Sequence, residues 1–198
     1  MAEQILVVRA DELRRHIDFQ GFVPLDEGEV QQLYEALEVL PLERDRAEHD
    51  PSFKQLVAYS VVRCGGRYLT YTRGKRQGEA RLRGNRSIGF GGHINSGDQS
   101  SLFLDDMLKA AAYRELDEEI AVPAGTVLRL AGLLNDDDND VGRVHLGLVY
   151  LAELREPDVG KREQSIAQLL FAAPEELARD REQFETWSRI LIDHLGEL

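Results

Sequence analysis

Residues Ala110 to Val122 read AAAYRELDEEIAV, and this stretch decides how the rest of the chain is read. Three consecutive alanines, Leu116 and the glutamates are strong helix formers, and Pro123 bars helix immediately beyond. The pattern predicts a helix over about 105–120. Within it Glu115, Glu118 and Glu119 stand at i, i+3 and i+4, so their carboxylates share one face. Leu108, Ala112 and Leu116 share another and can pack down. Like charges at this spacing repel by about 0.2–0.5 kcal/mol per pair. A divalent cation reverses the sign: Mg²⁺ takes oxygen ligands and is commonly held by one or two carboxylates plus substrate phosphates. The stretch therefore reads either as a solvated acidic face or as a face that holds a cation.

The residues upstream separate the two readings. A strand-like SIGF leads into Gly91-Gly92-His93-Ile94-Asn95-Ser96-Gly97-Asp98, and Arg114 to Glu119 follow as RELDEE. Together these resemble the Nudix box, GX5EX7REUXEEXGU, of the Nudix hydrolase superfamily, and the whole chain looks most like its MutT-like predicted phosphoesterase branch. The box covers residues 92–122. Gly92 takes the place of its first glycine, Asp98 of its first glutamate and Ala121 of its later glycine. The spacer from Asp98 to Arg114 is eight residues longer than in the box, an insertion running from Gln99 to about Asp106. An ungapped register would put Asp106 at the first glutamate and Ser100 at the glycine. The insertion is preferred because it keeps Gly92 and Gly97 where a tight loop needs their freedom. Asp105 or Asp106 then becomes the helix N-cap.

The resemblance implies an α/β (α+β) fold, an α/β/α sandwich around a mixed sheet spanning about 51–198. It implies a hydrolase of a phosphoanhydride in a diphosphate substrate, with Mg²⁺ or Mn²⁺ as cofactor. By resemblance Glu118 and Glu119 are metal ligands, with a backbone carbonyl of the Gly91–Gly92 segment adding an oxygen. Glu115 binds a second metal or orients water, and Arg114 pairs with an acid of the box. The base comes from a loop outside the box, for which Glu163 and the run Asp136 to Asp140 (DDDND) are candidates. The plain reading of DDDND is a solvated turn; Val141 stands where the glycine of a calcium loop belongs.

The remainder reads as strands and helices in alternation, without repeats or low-complexity tracts. Residues 4–9 read as a strand and Asp11–Ile17 as a short helix. A stronger helix is expected from Glu27 to Leu40, because Asp26 and Glu29 have capping-box spacing and Val30, Leu33, Tyr34 and Leu37 form one stripe. The charged run 42–52 ends at Pro51 and suggests a boundary between an N-terminal extension, 1–50, and the main domain. LVAYSVVRC and RYLTYTR, joined by Gly65-Gly66, read as a hairpin. Strands follow near 127–134 and 143–154, then a short helix opened by Pro174 and a final one over 182–196. Phe184, Trp187, Leu191 and Leu195 give that last helix an apolar stripe.

Composition sets the outer bounds. Acidic residues number 36 and basic ones 24, a formal charge of −12, which argues against bulk nucleic acid as a partner. No apolar run approaches the roughly 18 residues of a membrane span, and the N-terminus lacks the pattern of a signal peptide. Cys64, the single cysteine, allows no internal disulfide, and a cytoplasmic setting is the expectation. Basic residues are unevenly placed: Arg73, Lys75, Arg76, Arg81, Arg83 and Arg86 fall within 14 residues, with Glu79 alone against them. Arginine forks suit phosphate oxygens, so Arg73, Arg83 and Arg86 are expected to receive the phosphates of a small-molecule substrate, with His93 of the box loop beside them. His145, in the alternating RVHLGLVYL, either faces the cleft or is a satisfied sheet histidine. Dimerisation, substrate covering and partner binding are the roles open to residues 1–50. Two other functions fit the resemblance: a non-catalytic module that senses a nucleotide or sugar phosphate, and a prenyl-diphosphate isomerase. Degenerate sensing modules lose acids that are all present here. The isomerase needs extra catalytic cysteine and glutamate positions, and the single cysteine, Cys64, lies before the box.

Overall fold

The hairpin around Gly65-Gly66 is the spine of the molecule. The computed structural model describes residues 2–73, 86–98, 104–164 and 166–198. Strand β4 (Phe53–Cys64) turns through Gly65 (φ 55°) and Gly66 (φ 75°) into β5 (Arg67–Arg73). Two positive φ values in a two-residue loop match the right-handed twist of the flanking strands, and glycine reaches them without strain. On its other side β4 runs parallel to β10 (His145–Leu154), from Gln55↔His145 to Cys64↔Leu154. Antiparallel β9 (Leu128–Asn135) and the short β2 (Gly21–Pro24) follow. At the opposite edge β12 (Ile166–Ala172) pairs with β5. The strand order β12-β5-β4-β10-β9-β2 is a mixed sheet, and the short β8 (Ile120–Ala121) and β11 (Gly160–Lys161) pair separately.

Residues 1–50 supply strands to this same sheet. Strand β1 (Gln4–Arg9) pairs with β4 through Val7↔Gln55 and with β3 (Leu40–Glu43) through Leu6↔Pro41. Beside β1, strand β7 (Gly89–His93) pairs with β4 from Val57↔His93 to Val61↔Gly89. The Leu6 amide donates to the Ile94 carbonyl at 2.8 Å, so the N-terminal strand rests on the tip of the glycine-rich loop.

Alternation along β4 decides which helices cover which face. Leu56, Ala58 and Val62 point to a core shared with α1 (Ala10–His16), α2 (Glu27–Ala36) and α4 (Leu104–Glu119). Tyr59 and Val61 point the other way, to α5 (Pro174–Arg179) and α6 (Thr186–Asp193). The Tyr59 hydroxyl ties that second layer down, donating to Glu185 Oε1 at 2.6 Å. A smaller cluster of Ile5, Val7 and Ala47 seats α3 (Arg44–Ala47) on β1. The result is the expected α/β/α sandwich around a mixed sheet.

Three expectations change in detail. The second helix keeps its capping box, with Asp26 and Glu29 exchanging two 2.9 Å bonds, yet it ends at Ala36. Pro41 disfavours helix at Leu40, and Leu40–Glu43 becomes β3 instead. Helix α4 already contains Asp105 and Asp106, so neither is its cap. The last helix begins at Thr186, because the Glu185 carboxylate accepts from the Trp187 and Ser188 amides and starts it there. Among the described residues no helix is long and apolar enough to cross a membrane.

Candidate active site

Helix α4 packs on β7 and β4 through Leu108, Ala111, Ala112 and Leu116, all buried. That seating carries Glu115 to the flank of the strand and turns Glu118 to solvent. The Glu115 side chain is 14% exposed and that of Glu118 61%. Gly92 lies directly under Glu115. A Cβ at position 92 would sit about 2.6 Å from the Glu115 carboxyl carbon, so only glycine leaves room for the carboxylate. Gly92→Ala is expected to displace Glu115 and to lower kcat by roughly 10- to 100-fold; steady-state kinetics, with circular dichroism to check the fold, read this out.

Arg114 joins helix to strand. Its Nη1 donates to Glu115 Oε1 at 2.6 Å and to Glu118 Oε1 at 3.3 Å, and its Nη2 donates to the His93 carbonyl at 3.1 Å. A planar guanidinium suits this multiple engagement. Gly92, the His93 backbone carbonyl, Arg114, Glu115 and Glu118 are thus brought together, while the His93 ring expected beside the phosphates turns to the other sheet face. Glu119 closes the helix, and its carbonyl accepts the amides of Arg162 (3.0 Å) and Glu163 (3.1 Å). Arg162 also pairs with the Asp117 carboxylate and donates to the Asp117 carbonyl at 2.9 Å. These bonds satisfy carbonyls that a helix C-terminus leaves open, and they place Glu163 beside the acidic helix end.

The basic segment is anchored at both ends near this point. Arg73 ends β5 and pairs with Ile166, three residues beyond Glu163. Arg86 opens β6 (Arg86–Ser87) and pairs with Thr72. The Arg86 guanidinium donates to Asp180 at 3.2 Å and stands 4.5 Å over the Phe184 ring, while its carbonyl accepts the Glu185 amide. Arg86 therefore fixes the end of the segment to the C-terminal layer. Lys75, Arg76, Arg81 and Arg83, and the insertion over 99–103, lie outside the described residues, as do the side chains of Arg73 and Asp98.

His93 and His145 meet each other on the sheet face opposite α4. Their Nε2 atoms are 3.1 Å apart, and His145 Nδ1 is 2.6 Å from the Val141 carbonyl. Burial first, then the neighbouring His145 and Arg44, push His93 down to about 3. Burial also lowers His145, against the opposing pull of the Val141 carbonyl and Glu48. Both rings are neutral near pH 7.

The run Asp136–Asp140 is a turn only partly given to solvent: Asp138 and Asp140 are exposed, whereas Asp136 is buried. Lys54, in the apolar strand β4 and only 2% exposed, extends its ammonium into the loop. Its Nζ donates to Asn135 Oδ1 (2.7 Å), to the Gly142 carbonyl (2.9 Å) and to the Asp137 carboxylate. Gln20 reaches the same loop from the N-terminal region, donating to Asp136 (3.2 Å) and Asp138 (3.1 Å). Partial burial pushes the Asp137 carboxyl up, but the Lys54 ammonium outweighs it and holds the pKa below the ordinary carboxylate value. Lys54 itself is lowered by burial, which its bond and charge contact with Asp137 offset in part. Neither Lys54 nor Arg162 stood out in the sequence; the one available sign was a lysine just ahead of the apolar run that opens at Leu56.

Among the described residues no three His, Cys, Asp or Glu side chains converge as a preformed metal cage. The site still fits a hard divalent ion. The donors are carboxylates, and the Gly92 cradle admits one of them to the strand. Magnesium needs only one or two such ligands when substrate phosphates complete its shell.

No protein-family model matches the chain. Protein YmaB of Bacillus subtilis is 32% identical to it over 206 residues, with 98% of each chain covered. The crystal structure of Tm1382, designated a candidate Nudix hydrolase, superposes with a TM-score of 0.82 at 28% identity, covering 98% of both chains. The NUDIX domain of Shewanella oneidensis NrtR, solved with ADP ribose, gives a TM-score of 0.52 at 17% identity, covering 73% of this chain and 87% of that one. The first two likenesses cover 98% of the chain, and with it the acidic helix, the glycine cradle beneath it and the sheet that holds both, and the chain belongs to the Nudix hydrolase superfamily.

Proposed function

We propose that the chain hydrolyses a phosphoanhydride in a nucleoside-diphosphate-linked or related diphosphate substrate, at a Mg²⁺ or Mn²⁺ site on α4. The observation that carries this reading is the Arg114 brace, which holds Glu115 over Gly92 and reaches Glu118 and the His93 carbonyl at once. Glu115, Glu118, Glu119 and the Gly92 backbone are the groups that would hold the ion. Bound there, it supplies neutralisation of charge on the phosphate oxygens. Arg114 keeps two of the carboxylates oriented. The basic segment that begins at Arg73, beside the strand leading from Glu163, and includes Arg83 would receive the remaining phosphate charge, while the Arg86 guanidinium is already held by Asp180 and Phe184. In the reaction a water oxygen bonds to phosphorus, the bridging oxygen leaves with the other phosphate, and the water proton passes to a base.

Glu163 is the favoured base. Its amide is fixed to Glu119, whereas Asp136 and Asp137 are engaged by Gln20 and Lys54. Glu163→Gln is expected to lower kcat by about 100-fold with KM little changed, measured by steady-state kinetics across pH.

Because ADP ribose accompanies the NrtR domain, it heads the substrates to test, with nucleotide sugars, dinucleoside polyphosphates and prenyl diphosphates beside it. A product screen with Mg²⁺ or Mn²⁺ should find turnover of at least one diphosphate and its loss on chelation. Binding without metal-dependent turnover of any of them would instead favour a sensing module.

A further inference from the structure

The His93–His145 pair has a third polar neighbour. Gln55 is the direct parallel partner of His145 across β4 and β10, and His93 pairs with Val57 two residues further along β4. Gln55 and Val57 share the alternation of Tyr59, and His145 that of Val149, so all three polar side chains lie on the face away from α4. Gln55 is fully buried, yet neither its Oε1 nor its Nε2 meets a hydrogen-bond partner among the described residues. An unmatched buried amide is costly, and native structures keep few of them without a reason.

The two imidazoles are arranged as ligands. The Val141 carbonyl accepts from His145 Nδ1, which fixes the proton there and leaves the lone pair on Nε2; this is the outer partner that metal-bound histidines have. His93 Nε2 faces that lone pair at 3.1 Å. Two nitrogens at Zn–N bonds of about 2.0–2.1 Å and a tetrahedral angle stand roughly 3.3 Å apart, so a small parting of the rings admits an ion. His93 and His145 are each intermediate in exposure, so neither residue is sealed from solvent. Imidazole nitrogens with an amide oxygen suit zinc-type ions over magnesium.

We propose that His93, His145 and Gln55 form a second cation site, for a divalent transition metal of the zinc type, on the sheet face opposite the acidic helix. The His93 Nε2 proton moves to Nδ1 by tautomerisation on binding, and solvent water fills the remaining position. The site stands apart from the hydrolytic reading, because Gly92 faces α4 while His93, the next residue, faces away.

The test uses the full chain without a polyhistidine tag, with Mg²⁺ in excess to occupy the acidic helix. Titration with Co²⁺, followed by visible absorption, should show one equivalent bound with nitrogen ligation, displaced by Zn²⁺. His145→Asn and His93→Asn should each abolish the signal. Gln55→Leu should raise the metal-free melting temperature, by removing an unmatched amide, while weakening Co²⁺ at least about tenfold. If His145→Asn fails to fold, His93→Asn decides alone. No bound Co²⁺ in the parent chain, or binding that survives His93→Asn, overturns the site.

Discussion

Replacing Glu118 and Glu119 together by glutamine is expected to lower kcat by about 10⁴-fold, equivalent to roughly 5–6 kcal/mol of lost transition-state stabilisation. Glutamine preserves length and shape but removes the negative charge that pairs with a cation. The fold should survive, since Glu118 is largely solvent-exposed and Glu119 sits at the helix end. Circular dichroism and the melting temperature should match the parent, and the residual rate should no longer respond to added Mg²⁺. Unchanged turnover in the folded double variant would remove these acids from the site. Arg114 gives an internal control. Arg114→Ala leaves every acid in place but frees Glu115 and Glu118 to repel each other, so its loss should be smaller than that of the double variant.

Lys54→Met should be the most destabilising single change proposed for this chain. The variant leaves Asn135 Oδ1 and the Gly142 carbonyl without their ammonium donor and Asp137 without its counter-charge. Breaking a buried ion pair from one side costs about 3–5 kcal/mol. The Asp137 side chain is 43% exposed and can rehydrate, so about 3 kcal/mol is expected. For a chain of this length that lowers the melting temperature by roughly 6–12 °C, which calorimetry reads directly. The acid limb carries the same signature. Asp137 has a folded pKa below its unfolded value, so its contribution is complete above the ordinary carboxylate pKa and is lost as pH falls through the folded one. Asp137→Asn should therefore flatten the stability curve below about pH 4. A melting temperature unmoved by Lys54→Met would show the loop to be held by Gln20 and its own turns.

The elements that the sequence disclosed are those whose signals are local. Leu104–Glu119 carries its helical period and its acids within sixteen residues. Gly65-Gly66 dictates a hairpin by conformational freedom alone, and the Asp26–Glu29 box marks a helix start by spacing. Elements whose stability comes from distant partners stayed hidden. Strand β12 is paired on one side only, and its pattern of exposure is irregular, so no clean alternation announced it. Strand β2 has four residues and exists because β9 offers it an edge. In the site, RELDEE and the glycines were legible because the box is contiguous. The role of Arg86 was not, since Asp180 and Phe184 lie about ninety residues away. Lys54 looked like an ordinary strand lysine until Asn135, Asp137 and Gly142 were placed around it. The neighbourhood of Glu163 and Glu119 likewise depends on a loop that follows the central strand.

The parallel pairing of β4 with β10 sets a schedule for the chain as it is made. Strand β4 is synthesised early, but its central neighbour spans His145–Leu154, so its apolar edge waits for most of the chain to emerge. Strand β1, made first, docks on β4 and on the tip of the glycine-rich loop, neither of which exists when it leaves the ribosome. Non-local pairings of this kind slow folding. Nascent chains that end before β10 should be sensitive to protease and prone to chaperone capture, and protection should arise sharply once residue 154 has cleared the exit tunnel.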